Sequence, residues 1–249
     1  MDVIFGRNTV KAAIKSDRPL DKILAAKDID DPSVREILSL AKKHKLPIVR
    51  VDKRKLDSLT MEFGHGGNPA NHQGVVAVVA AKDYSELSDV FELAEQRAQP
   101  PFVVILDSIT DEGNLGSIIR SAEVLGAHGV ILGKRRSASL SAVAYKTSSG
   151  AAELLPIVKV TNLTETIKEL KDKGLWIVAA EQTGERADTL NLKGPIALVI
   201  GSEGEGISRL VLENCDLLAS IPMKGQTGSL NASVAAGVLM YEKARQDLL

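Results

Sequence analysis

The sequence predicts an α/β protein of two domains, in which a small α/β domain precedes a larger domain built on a parallel sheet. From residue 102 onward, short β-rich runs alternate with helical stretches, a pattern typical of a parallel sheet covered by helices. Pro100-Pro101 ends the helical stretch that comes before this alternation and indicates a boundary. The chain has 249 residues, 44% hydrophobic and 25% charged, which excludes a disordered or fibrous protein.

The predicted first domain spans residues 1–82 and combines helices with short strands. Segment 64–74 is too rich in Gly, Asn and Pro for a helix or strand, so we expect an exposed loop there. Residues 83–99 have helical spacing and form the predicted linker. The predicted elements are a helix at 8–14, a strand at 22–25, a helix at 33–44, a strand at 47–51, a short helix, and a strand at 75–81.

The predicted second domain spans residues 100–249 and carries six strands. A final helix runs from Ser229 to about residue 247, with Leu230, Val234, Val238 and Tyr241 on one face. The strands are predicted at 102–106, 129–132, 154–160, 175–180, 196–200 and 217–221.

Composition and missing motifs exclude several classes of protein. The single cysteine, Cys215, cannot form an internal disulfide, and residues 1–10 show no secretion signal, so we expect a cytoplasmic protein. The apolar runs are too short to cross a bilayer, and we expect no membrane partner. One cysteine and four scattered histidines predict no metal, and neither a Walker sequence, a G-x-S-x-G nor a G-x-G-x-x-G turn is present.

The charge is divided unevenly along the chain. Residues 1–82 carry 15 Lys and Arg against 10 Asp and Glu, whereas residues 83–249 carry 16 against 22. Lys53, Arg54 and Lys55 belong to a basic run in the first part, which favours contact with a polyanion. The alternative interpretation is that these side chains only solvate short helices.

Three loops that follow predicted strands carry the candidate site, because ligands of open α/β sheets bind outside the carboxyl ends of the strands. In the first, Asn114 is the predicted N-cap of a helix that carries Arg120. The second is Gly201-Ser202-Glu203-Gly204-Glu205-Gly206, whose glutamates disfavour a phosphate and favour a neutral or cationic ligand. The third contains Ser229, the predicted N-cap of the last helix.

Together these loops resemble the motifs of the SpoU/TrmH type of SPOUT RNA methyltransferases. Asn114-Leu115-Gly116-x-Ile118-x-Arg120 is similar to the first motif, segment 201–206 to the second, and Ile221-Pro222-Met223 with Ser229-Leu230-Asn231 to the third. Glu112 follows Asp111 at a position where the family often has Pro. The first domain resembles the family's ribosomal-protein-like RNA-binding domain through Phe5-Gly6-Arg7-Asn8-x-Val10 and His72-Gln73-Gly74-Val75.

The resemblance implies a SPOUT domain with a deep trefoil knot, a homodimer, and S-adenosylmethionine as cofactor. The chain is most like the bacterial enzymes that methylate the guanosine 2′-hydroxyl in 23S rRNA. Alternatives are methylation of tRNA, methylation of rRNA that confers antibiotic resistance, and a non-catalytic RNA-binding role in ribosome assembly. The implied catalytic residues are Asn114, Arg120, Glu203, Ser229 and Asn231; the cofactor-binding residues are Gly201, Ser202, Ile221, Met223 and Leu230; the RNA-binding residues are Arg7, Asn8, Lys53, Arg54, Lys55, His72 and Gln73.

Overall fold

A computed structural model describes residues 2–16, 20–29, 31–64, 66–79, 84–226 and 228–248. The chain divides into two compact units, each with its own sheet. The front unit comprises residues 1–83 together with 140–154, and the second unit comprises residues 84–139 and 155–249. Among the described residues, no helix is long and apolar enough to cross a membrane.

The front unit contains a four-stranded sheet whose strands lie in the order β1 (Asp2–Phe5), β4 (Val75–Val79), β2 (Leu20–Ala26) and β3 (Ile48–Val51), and only β2 and β3 are parallel. The sequence pattern misses β1, a strand of four residues whose Val3, Ile4 and Phe5 are buried. The end of the strand predicted at 75–81 lies outside the described residues. The elements are β1 (Asp2–Phe5), α1 (Arg7–Lys15), β2 (Leu20–Ala26), α2 (Pro32–Lys43), β3 (Ile48–Val51), α3 (Lys53–Thr60) and β4 (Val75–Val79).

Segment 140–154, from the middle of the chain, belongs to the front unit. The predicted division into residues 1–82, 83–99 and 100–249 placed this segment in the second domain. Ala142 packs in the same apolar cluster as Val3 and Phe5. The Thr9 hydroxyl donates to the Tyr145 carbonyl oxygen at 3.4 Å, and the Lys146 Nζ lies 4.9 Å from the Phe5 ring centre. Segment 140–154 therefore packs with the front unit, and its Ala142 belongs to the core of that unit.

The second unit contains a parallel six-stranded sheet whose strands lie in the order β10 (Leu217–Ser220), β8 (Trp176–Arg186), β9 (Ile196–Ile200), β5 (Phe102–Leu106), β6 (Gly129–Gly133) and β7 (Ile157–Val160). The central strands are buried along their whole length, as expected where helices cover both faces of a sheet. Helix α4, inside the predicted linker, packs Val90 into this core.

From residue 84 onward the elements are α4 (Leu87–Gln96), β5 (Phe102–Leu106), α5 (Glu112–Val124), β6 (Gly129–Gly133), α6 (Ala142–Thr147), α7 (Ala151–Leu154), β7 (Ile157–Val160), α8 (Leu163–Asp172), β8 (Trp176–Arg186), β9 (Ile196–Ile200), α9 (Arg209–Leu212), β10 (Leu217–Ser220) and α10 (Ala232–Asp247). Of these, α6 and α7 lie in segment 140–154 and belong to the front unit.

A buried histidine makes this unit sensitive to acid. The His128 ring is 1% exposed, its Nδ1 accepts the Phe102 N–H at 3.0 Å, and burial lowers its pKa to about 4. Since an unfolded histidine titrates near 6.5, the unfolded chain gains the proton first, and stability falls as the pH drops from about 6.5 to 4. We expect the free energy of unfolding to lose about 3 kcal/mol over this range, and chemical denaturation of His128→Asn to show a flatter pH dependence. An equal pH dependence in both proteins would contradict this account.

Candidate functional site

The loops after β5, β9 and β10 meet at the carboxyl edge of the second sheet. Asp107, at the end of β5, is buried, and its Oδ2 accepts the Ser208 N–H at 2.7 Å. The Asp107 N–H in turn donates to the Ile200 carbonyl oxygen at 2.9 Å. These bonds tie the first loop to the second, and the sequence interpretation did not single out Asp107 for this role.

Helix α5 begins three residues earlier than predicted, so the N-cap assigned to Asn114 is wrong. The N-cap is Asp111, whose Oδ1 accepts the Asn114 N–H at 2.6 Å. Aspartate and asparagine are similarly good caps, and the sequence interpretation considers only Asn114. Because Asp111 caps the helix, the Asn114 side chain is available for other bonds.

Asn114, Glu203 and Asn231 form one hydrogen-bonded network. The Glu203 Oε1 accepts from the Asn114 Nδ2 at 3.1 Å, from the Asn231 Nδ2, and from the Ala232 N–H at 3.1 Å. The Asn231 Nδ2 also donates to the Asn114 Oδ1 at 3.0 Å. Glu203 therefore joins the three loops, and its charge lies at the positive end of the α10 dipole.

Helix α10 begins at Ala232 with Asn231 as its N-cap, which corrects the cap predicted at Ser229. The Asn231 Oδ1 accepts the N–H groups of Ser233 and Val234 at 3.0 and 3.3 Å. Ser229 instead lies in the irregular segment before the helix, and it lines a cavity. One side chain, Asn231, thus both starts the helix and orients Glu203.

The cavity beside this network has a volume of about 340 Å³, within the usual range for small-molecule sites. Its wall includes every residue predicted to hold the cofactor. Three acidic residues also line it, Glu181, Glu203 and Glu205, and no lysine or arginine among the described residues does. This wall suits a neutral or cationic ligand and opposes a phosphate. The predicted residues in it are Gly201, Ser202, Ile221, Met223 and Leu230.

Gly201 is required by a close approach of two backbone segments. A Cβ at this position would lie 2.3 Å from the Gly206 carbonyl carbon and 2.4 Å from the Ile207 nitrogen. The chain between them is a tight turn, in which Ser202 and Gly206 exchange backbone hydrogen bonds of 3.0 and 3.1 Å. The glycine thereby presents the loop backbone directly to the cavity.

The sequence interpretation missed one stretch of the cavity wall, residues 180–182. Strand β8 continues past its buried part, and Glu181 and Gln182 reach the cavity from there. The Gln182 Nε2 donates to the Gly228 carbonyl oxygen, next to Ser229. The available signal was the position of these residues at the end of a predicted strand that neighbours β9.

Arg120 lies two turns along α5, six residues beyond Asn114, and is exposed. Six residues correspond to about 9 Å along a helix axis. The structure therefore brings Asn114, Glu203 and Asn231 into direct contact, places Ser229 in the cavity wall, and places Arg120 on the exposed surface of α5.

The residues predicted to bind RNA in the front unit fall into two groups. Asn8 and the three cations at positions 53–55 are exposed. His72 is 4% exposed, its Nε2 lies 3.0 Å from the Asp57 Oδ1, and its Nδ1 accepts the Gly74 N–H, so this side chain supports the loop instead of facing a ligand. Arg7 pairs with Asp31 at 3.1 Å, and the Gln73 Oε1 accepts the Arg7 N–H.

The described part of the chain contains no group of three or more His, Cys, Asp or Glu side chains that could hold a metal ion. Its cysteine, Cys215, is partly buried, and burial raises the pKa of the thiol to about 11. The protonated thiol is a poor nucleophile. The candidate site for a reaction is therefore the network and the cavity at the carboxyl edge of the second sheet.

Two protein-family models match this chain, one in each of its two parts. Residues 101–241 match the SpoU rRNA Methylase family, and residues 3–85 match the domain described as RNA 2′-O ribose methyltransferase substrate binding. The YacO protein of Bacillus subtilis (strain 168), provisionally named a TrmH family tRNA/rRNA methyltransferase, is 44% identical over 98% of this chain and 96% of its own length. A tRNA/rRNA methyltransferase of Mycobacterium sp. (strain KMS), itself uncharacterized, is 42% identical over 98% of this chain and 76% of its own.

Solved structures show the same fold over nearly the whole chain. The SpoU methyltransferase AviRb from Streptomyces viridochromogenes, in complex with AdoMet, superimposes with a TM-score of 0.78 at 26% identity, covering 98% of this chain and 89% of AviRb. An AdoMet-bound rRNA methyltransferase from Sinorhizobium meliloti gives a TM-score of 0.78 at 25% identity, covering 100% and 88%. By these matches the chain belongs to the SpoU family of RNA methyltransferases.

Proposed function

We propose that this chain transfers a methyl group from S-adenosylmethionine to the 2′-hydroxyl of a guanosine ribose in 23S rRNA, and that it works in the cytoplasm. The observation that carries the proposal is the network of Asn114, Glu203 and Asn231 beside a cavity lined by carboxylates. The match of the front unit to a ribose 2′-O substrate-binding domain supports the choice of atom. Guanosine and 23S rRNA follow from the sequence resemblance.

The cavity fits the cofactor in size and in charge. S-adenosylmethionine carries a sulfonium and an ammonium group, which favour the carboxylates of Glu181, Glu203 and Glu205, and it supplies a methyl group already activated for displacement. Gly201 and Ser202 would hold it through their backbone groups, with Ile221, Met223 and Leu230 against its apolar parts.

The remaining task of the protein is to align the ribose hydroxyl and to assist loss of its proton. Arg120 acts in this proposal as an electrostatic clamp on the hydroxyl or on the adjacent phosphate. A guanidinium is almost always protonated, so Arg120 is a poor general base. Ser229 and Asn231 orient the ribose and the arginine, and an RNA phosphate or water accepts the proton.

The front unit holds the RNA through the first turn of α3. Lys53, Arg54 and Lys55 occupy the first three positions of this helix, and the N-cap before them, Asp52, pairs with the Lys27 Nζ at 3.4 Å. Positive charge at the amino end of a helix is unfavourable because it opposes the helix dipole. Binding of an anion to the first turn of α3 would explain why three cations occupy positions that cost the free protein stability.

Neutralising this turn with Lys53→Gln, Arg54→Gln and Lys55→Gln is expected to weaken RNA binding and to flatten its salt dependence. If each cation contacts one phosphate of a single strand, the slope of log K against log salt falls by about 2. Filter binding of unmodified 23S rRNA between low and physiological salt measures this slope. An unchanged slope would mean that the turn is only a solvated surface.

A homodimer is the expected assembly, and α10 offers a face for it. Val234, Val238 and Tyr241 lie at helical spacing and are 49%, 41% and 59% exposed. Burying such a stripe in a second copy of the chain would remove it from water. Sedimentation equilibrium tests this arrangement, and Tyr241→Glu should shift the chain toward the monomer.

The first experiment is to incubate the purified chain with radiolabelled S-adenosylmethionine and unmodified 23S rRNA, and to map ribose methylation by protection from alkaline hydrolysis. One protected guanosine would support the proposed reaction, the proposed RNA and the proposed nucleotide. Incorporation into unmodified tRNA instead would support methyl transfer and reject the rRNA target. Cofactor binding without incorporation into either RNA or a ribosome precursor would favour the non-catalytic role in ribosome assembly.

A further inference from the structure

Three consecutive cations, Lys134, Arg135 and Arg136, follow β6 directly. All three side chains are exposed. None of them forms an ion pair with a carboxylate in the part of the chain that the structure describes. Three neighbouring like charges repel one another, so the free protein gains nothing from this arrangement.

Hydrogen bonds brace the loop that carries these cations at both of its ends. The Lys134 N–H donates to the Val160 carbonyl oxygen at 2.7 Å, and the Ser137 hydroxyl donates to the Gly133 carbonyl oxygen. Arg136 has a φ of 53°, in the left-handed region that non-glycine residues rarely adopt. Since a tight turn fixes the backbone, little loop entropy is lost when a ligand binds to these side chains.

The same loop is anchored to the loop that positions Asn114. The Ala138 N–H donates to the Ile109 carbonyl oxygen at 2.7 Å, and both side chains are buried. The Ser139 hydroxyl lies 3.4 Å from a carboxylate oxygen of Glu112, in the first turn of α5. Because β5 and β6 are parallel neighbours, about 4.8 Å apart, their carboxyl ends place the cations next to the site.

The charges of the two neighbouring features are opposite. The cavity wall carries carboxylates, which repel a phosphate, whereas the loop after β6 carries cations that attract one. A cleft of about 370 Å³ opens beside Lys134 and is lined by Tyr84 and Lys159. The Lys159 Nζ lies 4.8 Å from the centre of the Tyr84 ring. An aromatic ring beside lysines suits a nucleotide, whose base can stack while its phosphate is neutralised, although Glu86 and Glu169 also line the cleft.

We propose that Lys134, Arg135 and Arg136 bind backbone phosphates of the RNA strand that carries the target ribose. This inference rests on the proposed function for the identity of the polyanion, and it assigns a phosphate-binding site to the second unit. The loop holds the strand at the sheet edge while the carboxylates keep phosphates out of the cavity. Its effect is therefore on binding of RNA and not on binding of the cofactor.

The test compares Arg135→Gln/Arg136→Gln with the matched control Lys173→Gln/Lys193→Gln in the full-length chain. Lys173 and Lys193 are exposed and precede β8 and β9, so they lie at the opposite edge of the same sheet. Glutamine keeps much of the side-chain length, and circular dichroism verifies the fold. Filter binding of unmodified 23S rRNA at several salt concentrations gives the affinity and the salt slope, and calorimetry gives the affinity for S-adenosylmethionine.

We expect the loop variant to bind RNA about tenfold more weakly. The salt slope should fall by about 1.4, because the variant loses two phosphate contacts to a single strand. Affinity for S-adenosylmethionine should not change, and Arg135→Lys/Arg136→Lys should restore the slope. A loop variant that matches wild type, or a control variant that loses as much as the loop variant, would overturn the inference. Because these are binding measurements, they test the phosphate-binding loop even if the protein transfers no methyl group. A failure to transfer a methyl group would count only against the proposed function.

Discussion

Replacing Arg120 with alanine is expected to lower kcat by about a thousandfold, a typical cost of removing a group that stabilises charge in a transition state. The affinity for S-adenosylmethionine should stay within about twofold of wild type. The reason is positional: Arg120 is exposed on α5, two turns from the residue that joins the network, and the cavity wall is built from other loops. Single-turnover kinetics and calorimetry measure the two quantities separately.

The control for this prediction is Lys168→Ala, which removes an exposed cation from α8 in the same unit. It should leave both quantities unchanged. Arg120→Lys should recover part of the rate, because it keeps the charge but loses the planar, bidentate geometry of a guanidinium. If cofactor affinity collapsed in Arg120→Ala, the arginine would belong to the cofactor site and the division of roles would be wrong.

Replacing Gly201 with alanine is expected to reduce the affinity for S-adenosylmethionine by more than about tenfold, that is, by more than about 1.4 kcal/mol. The added methyl group would meet backbone atoms of Gly206 and Ile207 at 2.3 to 2.5 Å, and backbone cannot move aside as a flexible side chain can. The turn that presents Ser202 and Glu203 must therefore shift. Isothermal titration with the cofactor measures the loss.

Gly225→Ala is the matched control, since a Cβ there meets nothing within 4 Å. Its affinity and thermal stability should equal those of wild type. Thermal denaturation of Gly201→Ala without ligand shows whether the shift also destabilises the fold. Unchanged cofactor affinity in Gly201→Ala would mean that segment 202–206 does not hold the ligand.

The two variants also separate the parts of the site. Arg120→Ala leaves the cofactor cavity intact and removes a charge from the side where RNA would lie. Gly201→Ala leaves the arginine in place and distorts the cavity together with Glu203, which accepts bonds from Asn114 and Asn231. A loss of rate in the first and of cofactor affinity in the second would support a site assembled from two separable halves.

Much of the fold was predictable because it depends on local patterns. The strands at 102–106 and 196–200 are continuous apolar runs in a chain of alternating elements, and they match β5 and β9 residue for residue. Helix ends were less predictable. Asp111 and Asn114, and likewise Ser229 and Asn231, are all good N-cap residues, and only the path of the backbone decides which of each pair starts the helix.

Contacts between distant parts of the chain were not predictable from such patterns. Segment 140–154 reads as part of the second domain, but it packs with the front unit, where Ala142 joins the apolar core. His72 reads as a ligand-binding side chain in an exposed loop, but it is buried against Asp57. The deep trefoil knot implied by the family resemblance stays a prediction.

The sequence by itself determined the α/β class, the parallel sheet and the membership of the SpoU family, because hydrophobic periodicity and short motifs lie within a few residues of one another. Only the tertiary structure decided how those motifs work together. Asn114, Glu203 and Asn231 are separated by 89 and 28 positions along the chain, yet one carboxylate oxygen accepts hydrogen bonds from both asparagines. No local pattern encodes such a contact, because it exists only where three strands end at one edge of the sheet.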